Sequence, residues 1–573
     1  MKNFSYSASI ALLCAVVAMM CFSAIADDDV FWHLANGRWI WEHRSIPEAD
    51  VLSYPTAGET VMPTEWGWEL FTFLLVKITG TLASLQVLTA VIWLAIVGLL
   101  ARIMKKSGIS PSIMVLVLLV TSVISLDRMS PRPHLITLLG MSLVLSRYFH
   151  ARYLGKGGMR SMLVLPAVFV VWTNMHPGVL AGALLLTLLY AAEWLRLIVP
   201  PTAGSGISPL DRDELKLFGL AWLACVAALF VNPHGWRTWV FLFQHANFGL
   251  LSTVIEWQSP FSSTVSSGNV WLFRIAFFAY AITILYALRS KDPLHALLYA
   301  AFALYALRAV RFQSEFAIVN AVGVALSIEY VIRKTPEAVS KTLTGTAGTL
   351  AAMIPCVVML FSIPGNQLYG ALRYHNRFGT GIDNDYFSSG LMKFMKDNGV
   401  AGRPFNSFSI GGWISWELPG EKTFIDSRDF DERIAAVYDS TMGMLPGFEE
   451  KLASFGVDYV VLQLPDLRQN PRSMMATLIP YCSSHKEEWK LVYWDDWSFL
   501  YLRYTERFKP LCDRYEYAVA DPYLYSALHE RFDSLRVSDA GRFSREISRK
   551  IAEEPDGVIL RYFVRYAAQN SPR

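Results

Sequence analysis

The sequence predicts a polytopic α-helical membrane protein with about 11 transmembrane helices and a C-terminal extracytoplasmic α/β domain. Three observations predict it. The chain is 53% hydrophobic and only 17% charged over 573 residues, where soluble domains carry about 25% charge. Apolar runs of spanning length recur up to about residue 364, and polar, strand-bearing sequence replaces them after it.

The apolar runs fall near 6–26, 82–101, 111–126, 133–149, 161–175, 178–199, 216–232, 270–288, 294–309, 313–332 and 347–364. Most are long enough for a hydrocarbon core of about 30 Å, and two of the shorter ones could be re-entrant. Lysine and arginine in the short loops set the orientation. Arg102, Lys105 and Lys106 share a side with Arg147, Arg152, Lys156 and Arg160, and by alternation with Arg196, Arg212, Lys216, Arg289, Lys291, Arg333, Lys334 and Lys341. That side is expected to be cytoplasmic, with the N-terminus, which leaves residues 27–80 and everything after about 365 outside. Lys2 and Ala24-Ile25-Ala26 also fit a cleavable signal peptide, but the apolar stretch is long for one, so an uncleaved first helix is expected.

Two domains follow: 1–364, with a large first outer loop at 27–80, and 365–573. The second has strand-like runs at Asp458-Tyr459-Val460-Val461-Leu462 and Phe499-Leu500-Tyr501-Leu502, glycine punctuation at Gly411-Gly412 and Gly420, and a charged helical tail near 520–570. Of six cysteines, Cys14, Cys21, Cys225 and Cys356 read as small buried hydrophobes. Cys482 and Cys512 could pair if their domain is extracytoplasmic.

Several function classes are excluded or disfavoured. The net charge is only +3 with no basic tract, so nucleic acid is not an expected partner. No GxGxxG fingerprint, P-loop or HExxH occurs, which argues against a nucleotide-driven pump or a zinc protease.

The outer segments collect the chemistry. The first holds Asp27, Asp28, Asp29, His33, Glu42, Asp50, Glu65 and Glu69 among Trp32, Trp39, Trp41, Trp66 and Trp68. Later ones hold Asp127-Arg128-Met129-Ser130-Pro131-Arg132, Asn174-Met175-His176-Pro177-Gly178, Asn232-Pro233-His234-Gly235-Trp236-Arg237, Glu256-Trp257-Gln258-Ser259-Pro260, and Arg308 with Arg311. Arginine forks match phosphate oxygens bidentately, and a carboxylate can take a proton from an attacking hydroxyl. Each residue also has a plain reading. Asp27 and Asp28 could be solvated acids capping a helix end, the tryptophans an interfacial belt, and the histidines carbonyl-bonded caps. The outer arginines could simply snorkel to the interface. Asp27-Asp28-Asp29 and Asp383-Asn384-Asp385 could hold a divalent metal through carboxylate oxygens. The stretch Gly411-Gly412-Trp413 and Asp426-Ser427-Arg428 reads as a glycine turn between strands and a buried Asp–Arg pair.

The run Asp27-Asp28-Asp29-Val30-Phe31-Trp32-His33, continuing to Trp39-Ile40 and Ile46-Pro47-Glu48-Ala49-Asp50, resembles the first outer loop of bacterial GT-C-type membrane proteins. Thr64-Glu65-Trp66 stands where that pattern has His-Glu-Trp. The Asn174, Asn232 and Glu256 turns are similar to its later motifs, as are Phe405-Asn406, Gly411-Gly412-Trp413 and Phe424-Ile425-Asp426-Ser427-Arg428. Phe31 for Trp, Pro177 for Gly and Thr64 for His depart from it. The resemblance implies a polyprenyl-phosphate-sugar donor and an essential first-loop aspartate, which maps to Asp29 or Asp27.

The expected function is transfer of a sugar, with inversion, from a polyprenyl-phosphate carrier to an extracytoplasmic acceptor at the bacterial cytoplasmic membrane. Asp29 is the expected base, and Asp27 supports it or binds a metal. Arg128, Arg132, Arg308 and Arg311 are expected to hold phosphate, and His33, Glu65, His176, His234, Arg237 and Glu256 to orient donor or acceptor. The rivals are a non-catalytic scaffold for envelope glycan assembly and a lipid-linked-glycan transporter. Transport is disfavoured because Leu184–Leu189 and Val91–Leu100 lack ionisable groups.

Overall fold

The computed structural model describes residues 2–154, 158–201, 208–245, 254–374, 376–428 and 431–569; Lys156 lies outside them. The chain forms two compact units. The first comprises residues up to Ile25 and Met62–Gly381, and the second Ala26–Val61 and Ile382 onward.

In the first unit every expected span coincides with helix. Four helical stretches are long and apolar enough to cross a membrane: Ala83–Lys106, Val179–Ile198, Gly268–Ser290 and Val310–Ile332. A fifth is met if Glu337–Thr344 and Thr346–Ser362, bent by 42°, form one span. Shorter apolar helices are Tyr6–Cys21, Pro111–Ile124, Met159–Thr173 and Leu294–Ala306, while the stretches at 133–149 and 216–232 fall on His134–Arg152 and Arg212–Ala228, which meet neither measure. The bend falls at Gly345, between the two helices, and the 161–175 run is a 3-10 segment, Met159–Val164, feeding Leu165–Thr173.

Close helix approach is bought by small residues around Trp172. A Cβ on Gly140 or Gly182 would stand 2.5 or 2.3 Å from its ring, so the ring fills the space two glycines leave. Two of the loop cations are not free charges. Arg196 is fully buried, forks onto Asp292 at 2.7 and 2.8 Å, and meets Tyr148 Oη at 2.9 Å. Arg152 pairs with the buried Glu193 at 2.9 Å.

The expected first loop, 27–80, is not a single loop. Residues 26–61 fold with the C-terminal unit, while Trp66–Thr79 is a helix of the first unit, ended by Gly80 at φ 69°. Its apolar run, Leu70–Val76, is too short to register as a span.

The second unit is built on a four-stranded sheet: β1 (Pro404–Asn406), β2 (Tyr459–Gln463), β3 (Trp489–Trp494) and β4 (Ser498–Arg503), in the order β1-β2-β4-β3. β1 and β2 are parallel and the other pairings antiparallel. Both strand-like runs read from the sequence are strands. The helical tail is welded to this sheet. Glu546 accepts backbone N–H bonds from Ala518, Val519 and Ala520 at 2.7–3.0 Å, and Asp496 accepts two from Val558 and Ile559 at 2.8 Å. Cys482 and Cys512 are both buried free thiols on separate helices, Ile479–Ser484 and Lys509–Tyr515, so the pairing does not form.

Segment 26–61 enters this unit through three polar anchors. Asp28 accepts N–H bonds from Gly412 (3.0 Å) and Trp413 (2.9 Å) and a hydroxyl bond from Ser427 (3.1 Å). Arg38 donates to the carbonyls of Trp416 (2.9 Å) and Ser415 (2.6 Å). Asp50 takes Arg428 at 2.9 Å, while Arg428 also forks onto Asp426 at 2.7 and 2.6 Å. Gly411-Gly412-Trp413 is therefore not a turn between strands but the start of the helix Gly411–Glu417. Glycine is required at 412, because a Cβ there would lie 2.7 Å from the Asp28 carbonyl and 2.9 Å from Trp32 N. The buried Asp426–Arg428 pair is present as expected, with Asp50 as a third member.

Candidate functional site

Three turns of the first unit bring arginines onto one carboxylate. Arg128 closes the 3-10 turn Leu126–Arg128, Arg132 follows in the link to helix His134–Arg152, and Arg311 lies on the turn Val310–Phe312. Glu256 sits on the turn Ile255–Trp257. Its Oε2 is 3.1 Å from Arg128 and 3.7 Å from Arg132, and its Oε1 is 3.8 Å from Arg311. The turns are tied together, since Val310 N donates to Gln258 O at 2.9 Å and the Arg311 guanidinium stacks 4.1 Å from the Trp257 ring. Burial alone would raise the Glu256 carboxyl, but Arg311, Arg132 and Arg128 together outweigh it and hold it well below the usual carboxylate range. Two further buried carboxyls share the arginines with Glu256: Asp127 acts on Arg128, and Glu315 on Arg128 and Arg311.

Asp127 backs this cluster. It accepts from Asn269 Nδ2 at 3.1 Å and from Gln313 Nε2 at 3.2 and 3.1 Å. Burial pushes its carboxyl up to about 6, with Arg128 pulling the other way. Around it several buried polar atoms have no hydrogen-bond partner: Arg128 Nε, Asn269 Oδ1, Gln313 Oε1 and Ser314 Oγ. Buried groups are rarely left so, and a concentration of them marks a place where water or a polar ligand belongs. Asp127, Asn269 and Gln313 were not among the expected site residues. Asp127 stood beside Arg128 in the same turn, but nothing local to Asn269 or Gln313 signalled a shared partner.

His176 and Glu65 form a second pair in this unit, with Nε2 to Oε1 at 3.5 Å. Asn174 fixes the turn that carries His176. Its side chain donates to the carbonyls of Val170 (2.8 Å) and Val231 (2.7 Å) and accepts from Trp66 Nε1 at 3.0 Å, while its carbonyl accepts from Gly67 N at 3.0 Å. A Cβ at Gly67 would stand 2.7 Å from that carbonyl, which explains the glycine after Thr64-Glu65-Trp66. His176 is buried near Arg311, Arg128 and Arg132, and that burial and the three cations push it well below the usual imidazole range.

Other expected residues are not gathered here. Arg308 is exposed, and the arginines paired with Glu256 among the described residues are Arg128, Arg132 and Arg311. Arg237 is exposed at the start of helix Arg237–His245. His234 lies in a turn organised by Asn232, whose Oδ1 accepts from His234 N (3.0 Å) and Thr238 Oγ1 (2.8 Å). The imidazole Nε2 of His234 is buried without a partner.

The aspartate run belongs to the second unit. Asp29 opens helix Asp29–His43, its Oδ1 accepts from Trp32 Nε1 at 3.1 Å, and its N–H donates to Asp27 Oδ1 at 3.2 Å. Asp27 and Asp29 are half-buried. Asp28 is the buried helix-capping member, and burial pushes its carboxyl up to about 8 against the Gly412 and Trp413 N–H donors. The Trp32 and His33 rings are 3.6 Å apart, and His33 is buried.

A divalent ion needs six or more oxygens, several of them commonly from the protein. Among the described residues no group of three or more His, Cys, Asp or Glu gathers to hold one. Asp27 and Asp29 alone do not compose such a centre. In Asp383-Asn384-Asp385 the first carboxylate accepts from Asp385 N at 2.9 Å, as an Asx turn does, and Asp385 pairs with Arg468 at 3.5 Å.

No family model and no curated protein sequence matches the chain. Solved structures do. The oligosaccharyltransferase AglB from Archaeoglobus fulgidus, in complex with an inhibitory peptide and a dolichol-phosphate, aligns with TM-score 0.56 at 11% identity, over 86% of this chain and 73% of that one. The apo form of the Archaeoglobus fulgidus oligosaccharyltransferase aligns with TM-score 0.54 at 12% identity, over 88% and 75%. The chain shares its fold with these oligosaccharyltransferase structures. ArnT from Cupriavidus metallidurans, bound to undecaprenyl phosphate, aligns at 0.49 and 12% identity over 87% and 97%. At such identities the likeness is one of fold, and what this chain does with that fold rests on its own side chains.

Proposed function

We propose that the protein is a membrane glycosyltransferase that moves a sugar from a polyprenyl-phosphate carrier to an acceptor on the extracytoplasmic side of the bacterial cytoplasmic membrane. One observation carries this reading: Arg128, Arg132 and Arg311 converge from separate turns on Glu256. Such a cluster suits a phosphate at headgroup depth, and the unpaired Arg128 Nε is a further donor for it. That AglB was solved with a dolichol-phosphate supports the carrier class.

In the reaction, the acceptor oxygen attacks the anomeric carbon on the face opposite the phosphate. The new C–O bond forms as the bond to phosphate oxygen breaks, and the electron pair leaves with the phosphate, where the arginines stabilise it. The acceptor's proton goes to a carboxylate base. The sequence resemblance assigns that role to Asp29 with Asp27 beside it.

The test is transfer of labelled sugar by the full-length protein in vesicles, from a panel of polyprenyl-phosphate hexoses and pentoses to envelope acceptors. Wild type is expected to transfer from one donor class, and Asp29→Asn to lose on the order of 10²–10⁴-fold, the usual worth of a general base. Wild-type turnover in Asp29→Asn would remove Asp29 from the chemistry. No transfer from any donor by folded protein would favour the scaffold.

A further inference from the structure

The Nδ1 atom of His176 takes hydrogen bonds whose directions fix where the imidazole proton sits. Gly178 N–H can only donate, and it points at Nδ1 from 3.1 Å. Nδ1 is therefore an acceptor, and the imidazole proton sits on Nε2. Thr137 Oγ1 lies 2.7 Å from the same Nδ1 and itself accepts from Trp172 Nε1 at 3.0 Å. With its acceptor side engaged by the indole, the hydroxyl hydrogen turns to Nδ1. The order of donation is Trp172 to Thr137 to His176, and the protonated Nε2 faces Glu65 Oε1 at 3.5 Å. The packing leaves no slack, because a Cβ on Gly178 would stand 2.3 Å from Thr137 Oγ1 and 2.6 Å from His176 Nδ1.

We propose that Thr137 is a positioning residue: with Gly178 it locks His176 as the neutral Nε2–H tautomer, so that Glu65 is met by a neutral donor beside the arginine cluster. The setting gives the lock a purpose. The charged and titratable groups that act on His176 are Arg311, Arg128 and Arg132, with His134 on the neighbouring helix and Glu65 facing Nε2. An imidazolium there would be a fourth cation in the cluster and would claim Glu65 as an ion-pair partner. A neutral imidazole orients Glu65 and leaves the charge of the cluster to the arginines. The geometry stands without the glycosyltransferase reading, but the purpose of the lock rests on phosphate binding at this cluster.

The test is nitrogen-15 NMR of histidine-labelled full-length protein in lipid nanodiscs, with the His176 signals assigned by their loss in His176→Gln. Wild type is expected to show Nδ1 unprotonated, Nε2 protonated, and no titration between pH 8 and 5. Thr137→Val removes one of two donors to Nδ1 at nearly constant volume. The His176 midpoint should then rise by roughly one unit, the equivalent of one lost hydrogen bond of about 1.4 kcal/mol. Thr137→Ser keeps a hydroxyl and should restore the wild-type profile, which loss of packing alone would not do. If Thr137→Val fails to fold, the wild-type tautomer and the Thr137→Ser profile still decide. A protonated Nδ1 in wild type, or His176 titrating near its ordinary value, overturns the proposal, as does Thr137→Val behaving like wild type. Polyprenyl-phosphate binding measured on the same samples separates the readings: an intact lock without binding defeats the proposed function and not the lock.

Discussion

Glu256→Gln is expected to destabilise the protein and to make it dependent on anions. The substitution removes the carboxylate that Arg128, Arg132 and Arg311 share. Removing one partner of a wholly buried ion pair costs about 3–5 kcal/mol. Glu256 is 28% exposed, so solvent relieves part of this and about 2–3 kcal/mol is expected. Thermal unfolding should show the loss, and added phosphate should recover more of it in the variant than in wild type, because the anion replaces the missing carboxylate. The pH dependence follows in sign. A carboxyl held low in the folded state stabilises above its unfolded pKa of about 4.3, and that stability is lost as pH falls from there through the folded value. Wild type should therefore lose stability below about pH 4.5 with a steeper slope than Glu256→Gln. Equal slopes and equal midpoints would mean that the arginines do not depend on Glu256.

Arg428→Ala should damage the second unit severely. Arg428 joins Asp426 and Asp50, whose side chains are 2% and 0% exposed, and removing it strands two buried carboxylates. A cost of about 3–5 kcal/mol is expected, enough to release the segment 26–61, which reaches the sheet-bearing residues through Asp28, Arg38 and Asp50. Limited proteolysis should then cut within 26–61 at low protease, while the helices of the first unit stay protected. An unchanged cleavage pattern would show that the Asp50–Arg428 contact is not what holds the segment.

These two networks also show what could be read in the chain. Apolar helices were legible because a hydrocarbon core demands a length of apolar residues that local sequence displays, and four helical stretches among the described residues meet it outright. Trp66–Thr79 was missed because its stretch Leu70–Val76, interrupted by Thr72, fell below that length, although Gly80 stands where a left-handed helix cap does. Asp426–Arg428 was legible as a pair two residues apart, but Asp50, 378 residues from Arg428, was not, since only tertiary structure joins them. Arg128, Arg132, Arg311 and Glu256 could be grouped because outer arginines run against the positive-inside bias. The same bias did not distinguish Arg308, which is exposed, from Arg311, which pairs with Glu256. Asp28 sits in a run of three aspartates that sequence treats alike. The fold separates them by burying the middle one under the N–H groups of Gly412 and Trp413.

The central claim is that the arginine cluster binds a lipid-linked phosphate. Its most direct test is equilibrium binding of polyprenyl monophosphate to the full-length protein in nanodiscs, with neutral polyprenol as the control and Arg128→Ala/Arg132→Ala as the variant. Each charge-assisted hydrogen bond lost is worth about 1.5–3 kcal/mol, so saturable wild-type binding should weaken by roughly 10–100-fold or more in the variant, and polyprenol should not compete. Equal affinity in wild type and variant, or no binding by folded wild-type protein, would contradict it.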